Sequence, residues 1–251
     1  MRHKGRCAFV TGGARRIGAA IAEALATEGA DVALHYRRSH EEAHALCDEF
    51  RRRFSGNYCA VRADLSCADD VTRAFGEADR KLGGVDVAIC NASHFVRDDA
   101  DAPNEETFVQ SMRVNAFAPA LLARLLAERN PGERSDVVMV SDYVSDIYSD
   151  AFFSYGASRA AGKYVVTALA LRYAPHMRVN AIALGNAWPA PTQRQEHFDA
   201  LCERSPLRMA TPICDVTNAV CFLLESASVT GHTLFLDAGN RLARPPYVPS
   251  V

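Results

Sequence analysis

Apolar positions along the chain fall into two alternating rhythms. Short, nearly unbroken apolar runs at 7–10, 31–36, 58–62, 85–90, 136–140, 179–183 and 233–236 have the length of strands buried on both faces. Between them, apolar residues recur three and four positions apart. That spacing predicts helices at 19–26, from Ser39-His40-Glu41-Glu42 (a capping box) toward Arg53, and at 66–82, 105–128, 155–173 and 215–225. Such alternation predicts an α/β, Rossmann-type doubly wound parallel sheet of about seven strands, with helices on both faces and right-handed crossovers. No repeat, low-complexity segment or linker interrupts it, so residues 1–251 read as a single domain. The least regular stretches, 91–104, 142–154 and 185–213, follow strand carboxyl ends, where such folds bind ligands. The last is the expected substrate loop.

Composition and charge narrow the function without altering the fold. At 251 residues the chain can bury a core without staples, and a net charge of -2 lacks the basic excess that a nucleic-acid partner requires. Arg51-Arg52-Arg53 reads as a solvated helix end complementing the dipole. The eight cysteines form no C-x-x-C pair and several sit in apolar runs, as expected of small buried hydrophobes in a reducing compartment, and no metal site is expected. The apolar run after the basic start breaks at Gly12, too short for a signal peptide, and no stretch approaches the roughly 20 apolar residues of a membrane span. A cytoplasmic, soluble protein without a membrane partner is expected.

The chemistry-bearing stretch is Thr11-Gly12-Gly13-Ala14-Arg15-Arg16-Ile17-Gly18, the turn between the first strand and the first helix. Unpaired amides at a helix start, with the positive end of its dipole, attract an anion, and glycines let phosphate oxygens approach. Two adjacent arginines there, Arg15 and Arg16, add cations that a structural turn does not need. In a doubly wound fold the end of the second strand meets the adenosine ribose, and an acid there marks NAD. Here the position reads Tyr36-Arg37-Arg38-Ser39, two guanidiniums and a hydroxyl suited to a 2′-phosphate, so NADP is the expected cofactor. Arg15 or Arg16 is placed to join the same phosphate. Asp64, beside Leu65 after the third strand, either bonds the adenine amino group or serves a helix start.

With Cys90-Asn91-Ala92-Ser93, Asn115, Tyr155-Gly156-Ala157-Ser158-Arg159, Arg178-Val179-Asn180 and Asp237-Ala238-Gly239, nearly the whole chain resembles the short-chain dehydrogenase/reductase family. The glycine turn and His35-Tyr36-Arg37-Arg38-Ser39 most resemble its pteridine and dihydromonapterin reductases, which reduce pterin rings with NADPH. The resemblance implies cofactor contacts from Thr11, Gly12, Ile17, Gly18, Asn91, Ala92, Ser93 and Gly185. In that branch Arg16 replaces a usual glycine and meets both cofactor phosphate and substrate, and an aromatic at Phe95 stacks on the pterin, although Phe95 alone would read as core. The resemblance also implies a homotetramer built on the helices containing Asn115 and Tyr155.

In the family a tyrosine supplies the proton while nicotinamide transfers hydride, and Tyr155 is that residue here. A lysine four residues later normally lowers the phenol's pKa and holds the ribose; this chain has Arg159, which keeps the charge but does not relay protons. Lys163 lies two turns, roughly 12 Å, beyond Tyr155, too far to substitute. The usual serine thirteen residues before the tyrosine is Asp142, as in pteridine reductases, with Ser141 on the opposite strand face. A carboxyl there favours proton donation, or else caps a turn. Asn115, four residues before Pro119, should disturb its helix. In the family that asparagine interrupts the helix and holds a water. Leu184-Gly185 replaces the family's Pro-Gly, and Trp188 either closes over the site or anchors its loop. The Pro-rich tail, 244–251, docks on a partner subunit or stays loose.

The leading expectation is an NADPH-dependent reductase of a planar pterin-like or conjugated C=N/C=O small molecule, with Asp142, Tyr155, Arg159 and Asn115 as catalytic residues and Arg16, Ser93, Phe95 and Trp188 facing the substrate. A ketone or imine reductase of secondary metabolism and a catalytically weak NADP-binding sensor or subunit are the alternatives.

Overall fold

The computed structural model describes residues 2–147, 151–189 and 193–243. Seven strands, β1 (Cys7–Val10), β2 (Asp31–Tyr36), β3 (Tyr58–Arg62), β4 (Val87–Cys90), β5 (Ser135–Asp142), β6 (Met177–Leu184) and β7 (Thr233–Leu236), form one sheet. Their order is β3-β2-β1-β4-β5-β6-β7 and all pairs are parallel. The order reverses between β1 and β4, and a crevice at such a switch point is where this architecture takes its ligand.

Alternate residues of each strand feed two cores. Ala8, Val10, Leu34, Ile89 and Ile182 pack on one face with α1 (Arg16–Thr27), α2 (His40–Arg53) and α8 (Ile213–Glu225). Phe9, Ala33, Ala88, Met139 and Val179 pack on the other with α3 (Ala68–Leu82), α5 (Ala118–Arg129) and α6 (Phe153–Tyr173). Two-residue side-chain periodicity explains the split. No described helix is long and apolar enough to cross a membrane, and no described group of His, Cys, Asp or Glu is arranged to hold a metal ion.

Several sequence expectations change. The single helix over 105–128 is α4 (Glu105–Met112), a π-turn (Arg113–Phe117) and α5. Pro119 has no N–H for the carbonyl of Asn115, so the ladder breaks where that spacing predicted. The capping box does not form: Ser39 makes no side-chain cap, and Glu42 meets Arg15 at 3.3 Å instead. β4 starts at Val87, whereas β5 and β6 run on through Asp142 and Leu184. Within 185–213 a short helix, α7 (Gln195–Glu203), buries Phe198 and Cys202 on one face. The Pro-rich tail and residues 190–192 of the expected substrate loop lie outside the described residues.

Candidate active site

The turn after β1 is fastened from beneath. Gly12 N–H donates to His35 Nδ1 at 3.0 Å, Gly13 N–H to the His35 carbonyl at 3.0 Å, and His35 Nε2 meets the Ala63 carbonyl at 3.2 Å. These partners require the neutral tautomer with its hydrogen on Nε2. Burial lowers the His35 pKa to about 4, which keeps that form at neutral pH. From β4, the amides of Asn91 and Ala92 donate to Thr11 Oγ1 at 2.9 and 3.0 Å, and Asn91 Nδ2 donates to the Thr11 carbonyl at 2.9 Å. A Cβ on Gly18 would stand 2.1 Å from the Gly12 carbonyl oxygen, so only glycine fits this crossing. The N-cap of α1, Arg15, makes no side-chain bond to the first-turn amides, which leaves that end suited to an anion. Ile17 packs against the core beside the turn.

Arg15 and Arg16 diverge from one another. Arg15 reaches α2 through Glu42, whereas Arg16 donates to the Pro189 carbonyl and lies 5.7 Å from the Trp188 ring centroid. Arg16 holds a left-handed backbone, φ +56°, so a turn that would suit glycine carries a side chain to the loop after β6. Arg37 and Arg38 are exposed, with Ser39 half-buried beside them. Arg37 and Arg38 line a cleft of about 380 Å³ with Arg62, Asp64, Asp70 and Arg73. Asp64 lies 3.9 Å from Arg37 and also accepts from the Ser66 amide and hydroxyl at 3.0 and 2.7 Å. It therefore serves the entry to α3 while facing the cleft, next to the buried Leu65. Tyr36 is buried, its phenol 2.7 Å from His40 Nδ1.

At the carboxyl end of β5, Tyr155 Oη donates to Asp142 Oδ2 at 2.9 Å, while Asp142 Oδ1 accepts from the Val144 amide at 3.0 Å. Asp142 thus both caps the turn and partners the phenol. Arg159 lies one helical turn along α6, its guanidinium 5.0 Å from the Tyr155 ring centroid. It donates to the Val140 carbonyl at 3.1 Å and to Ser93 Oγ at 2.8 Å, and is 5% exposed. Its Nε is buried without a hydrogen-bond partner among the described residues. Lys163 instead pairs with Asp146 at 2.6 Å, and Ser141 is buried on β5. Burial raises the pKa of Tyr155, opposed by Arg159 and reinforced by Asp142. Burial also raises Asp142, against the Val144 amide, the Arg159 charge and the Tyr155 hydroxyl. Both groups are therefore biased toward their protonated forms.

Asn115 reaches this pair indirectly. Its Oδ1 accepts from the His94 amide at 2.9 Å, and its Nδ2 donates to the His94 carbonyl at 3.0 Å and to Ser158 Oγ at 2.9 Å. Ser158 in turn donates to the Tyr155 carbonyl at 2.7 Å. The side chain ties the Asn91-Ala92-Ser93 turn to α6 and does not touch Arg159 by any described bond.

An aromatic wall completes the site. Phe95 is 51% exposed, not core, and stacks on Phe152 with centroids 4.9 Å apart and planes 8° from parallel. Its ring meets Tyr155 edge-on at 4.7 Å. Trp188 is half-exposed above Arg16. A Cβ on Gly185 would come within 2.8 Å of the Asp237 backbone, and its amide donates to the Leu236 carbonyl at 3.0 Å. Leu184 keeps the β6 ladder running to this point, where the family's proline would break it. Sequence reasoning named His35 and Ser158 only as parts of motifs, without these roles, and missed Phe152. A histidine inside the apolar run of β2 and a phenylalanine three residues before Tyr155 were the available signals.

A family profile described as Enoyl-(Acyl carrier protein) reductase matches residues 12–241. The glucose 1-dehydrogenase of Gluconobacter oxydans is 30% identical over 251 residues, covering 96% of this chain and 94% of its own. The dihydromonapterin reductase of Escherichia coli K12 is 30% identical over 242 residues, covering 93% and 96%. Among solved structures, the FolM alternative dihydrofolate reductase 1 of Brucella suis, in complex with NADP, matches with a TM-score of 0.91 and 34% identity. It covers 95% of this chain and 96% of that one.

Proposed function

The chain belongs to the short-chain dehydrogenase/reductase family, and from that premise we propose that it is an NADPH-dependent reductase of a planar, pterin-like substrate bearing a conjugated C=N or C=O bond. The observation that carries this reading is the buried Tyr155–Asp142 pair, both members shifted toward the protonated state beside a fixed cation. Such a pair is protonated at neutral pH and so carries the proton that reduction consumes.

The residues fit NADP. The Thr11-to-Gly18 turn and the open end of α1 would hold the diphosphate, with Arg15, Arg16 and Ile17 around it. Arg37, Arg38 and Ser39 would take the 2′-phosphate beside Tyr36, and Asp64 and Leu65 the adenine. Asn91, Ala92 and Ser93 would line the ribose, whose hydroxyls supply acceptors for the orphaned Nε of Arg159, and Gly185 admits the nicotinamide. Bound there, NADPH supplies the hydride. Tyr155 would give its proton to the substrate; protonated Asp142 would then donate to the tyrosinate with their hydrogen bond reversed, and the carboxylate so formed would take a proton from solvent before the next turnover. Arg159 keeps a positive charge under the tyrosine and orients it, without passing protons itself. Asn115 positions the Ser93 turn and α6. Phe95 offers a stacking face, and Arg16 with Trp188 borders the substrate.

Exposed Phe117, Tyr164 and Leu171, on the π-turn and α6, support a homotetramer built through these helices. The decisive experiment follows NADPH oxidation by the purified protein with dihydrobiopterin, dihydromonapterin, dihydrofolate and simple ketones. Pterin turnover that disappears in Tyr155→Phe is expected. Turnover of ketones alone would favour a carbonyl reductase, and tight NADPH binding without turnover in wild type or Arg159→Lys would leave a cofactor-binding protein.

A further inference from the structure

Asp98 lies between β4 and α4, three residues beyond Phe95, and takes no part in the roles described so far. It pairs with Phe152 in an isolated parallel bridge. Its carbonyl accepts from the Phe153 amide at 3.2 Å, its Oδ1 from the Ser154 amide at 3.1 Å, and its Oδ2 from the Ser154 hydroxyl. Ser154 is fully buried, and the α6 N-cap residue, Phe152, makes no side-chain cap of its own. A carboxylate from 56 residues upstream therefore does the capping, where a negative charge also suits the helix dipole.

The consequence lies in what flanks these bonds. Tyr155 is the third residue of α6, directly after Ser154. Phe95, on the Asp98 side, stacks on Phe152 and meets Tyr155 edge-on at 4.7 Å. Aromatic contacts of this kind are worth about 1 kcal/mol each and do not fix a spacing by themselves. The three hydrogen bonds that Asp98 accepts join the same two segments and do so directionally.

We propose that Asp98 is a positioning residue that ties the substrate-stacking wall to the start of α6, so that Phe95 and the Tyr155 hydroxyl stand at one spacing. The inference rests on the reductase reading for its effect on turnover, and on the fold alone for its effect on order. A ring held against Phe95 then presents its reducible bond at a set distance from the proton donor, and misplacement by about 1 Å costs about 100-fold in rate.

The test compares Asp98→Ala with Asp98→Asn, whose amide oxygen still accepts from the Ser154 amide. In Asp98→Ala, NADPH affinity by calorimetry stays within about twofold, while kcat on dihydrobiopterin falls about 10- to 100-fold and KM rises less. Asp98→Asn keeps about a third or more of kcat, because the backbone cap survives. Hydrogen–deuterium exchange, which needs no turnover, is expected to rise together in peptides spanning 91–104 and 151–160 of Asp98→Ala and to stay near wild type in Asp98→Asn. Unchanged kcat in Asp98→Ala, faster exchange in only one segment, or equal damage in both variants would overturn the proposal. If Asp98→Ala does not fold, Ser154→Ala replaces it, with a smaller loss of kcat and faster exchange in both segments. No change in either would sink the idea. Wild type that turns over no substrate removes the reductase reading, and the exchange comparison then decides the tether by itself.

Discussion

Tyr155 donates its phenolic hydrogen to Asp142 at 2.9 Å, and the environment raises the pKa of both groups, burial being the first cause for each. The acid form of the pair therefore persists above the usual carboxylate range. Reduction is expected to be fastest at acidic to neutral pH and to decline as pH rises through the elevated pKa of Asp142. Asp142→Asn should flatten that decline and lower kcat, and Tyr155→Phe should lower kcat/KM by about 100-fold or more with NADPH affinity nearly intact. A kcat profile in Asp142→Asn identical to wild type would remove Asp142 from the proton path.

Arg159 anchors on the Val140 carbonyl and Ser93 Oγ while its charge lowers the phenol's pKa against burial. Removing that charge but keeping the stem, as in Arg159→Met, should cost about 100-fold in kcat/KM. Arg159→Lys should stay within about tenfold of wild type, because the cation remains even though the bidentate anchoring does not. Steady-state rates at fixed NADPH check both. A lysine variant as inactive as the methionine variant would mean that geometry, not charge, is what arginine supplies.

Arg37 and Arg38 stand exposed around the same cleft as Asp64, where an adenosine 2′-phosphate would be neutralised. Charge-assisted bonds of this kind contribute about 1.5–3 kcal/mol each, so Arg37→Ala/Arg38→Ala should weaken NADPH by about 100-fold or more. NADH, which lacks the phosphate, should bind almost as before. Calorimetric titration with both cofactors decides the matter, since equal weakening of the two would point to a collapsed turn.

His35 is buried and neutral, accepting from Gly12 and bonded to Ala63, with its pKa lowered by burial to about 4 from a reference of 6.5. The unfolded chain binds this proton first, so stability is complete above about pH 6.5 and declines between there and about pH 4, by about 3 kcal/mol in all. Urea unfolding at pH 7.5, 5.5 and 4.5 should show a shallower pH dependence in His35→Gln than in wild type. Equal slopes would mean that the imidazole is not the group being titrated.

Strand positions and much of the candidate site's grouping were legible because both are written in local spacing. Apolar runs mark β1 to β7, and Tyr155 with Arg159 is one helical turn whatever surrounds it. Polar strand ends such as Ser135 and Asp142 carry no apolar signal, so β5 came out short. The Ser39–Glu42 box lost to a tertiary pairing of Glu42 with Arg15, and α7 offers only Phe198 and Cys202 as a buried period. Asp98 meets Ser154 across 56 residues, a relationship that no local pattern encodes.

Arg16 joins the glycine turn after β1 to the loop after β6 at a backbone angle, φ +56°, that favours glycine. Replacing it by glycine relieves about 1–2 kcal/mol of left-handed strain. The same change removes the bond to the Pro189 carbonyl and the contact with Trp188, together worth about 2–4 kcal/mol. The relief offsets part of the loss, so Arg16→Gly should stay folded and melt no more than about 10 °C below wild type. Its functional losses then report on binding and not on folding. If Arg16 serves both ligands, NADPH Kd and substrate KM should each rise several-fold, and the fluorescence of Trp188, the single tryptophan of the chain, should change with the loss of the cation beside it. Should both affinities stay at wild-type values while that fluorescence changes, Arg16 holds the loop but reads neither ligand.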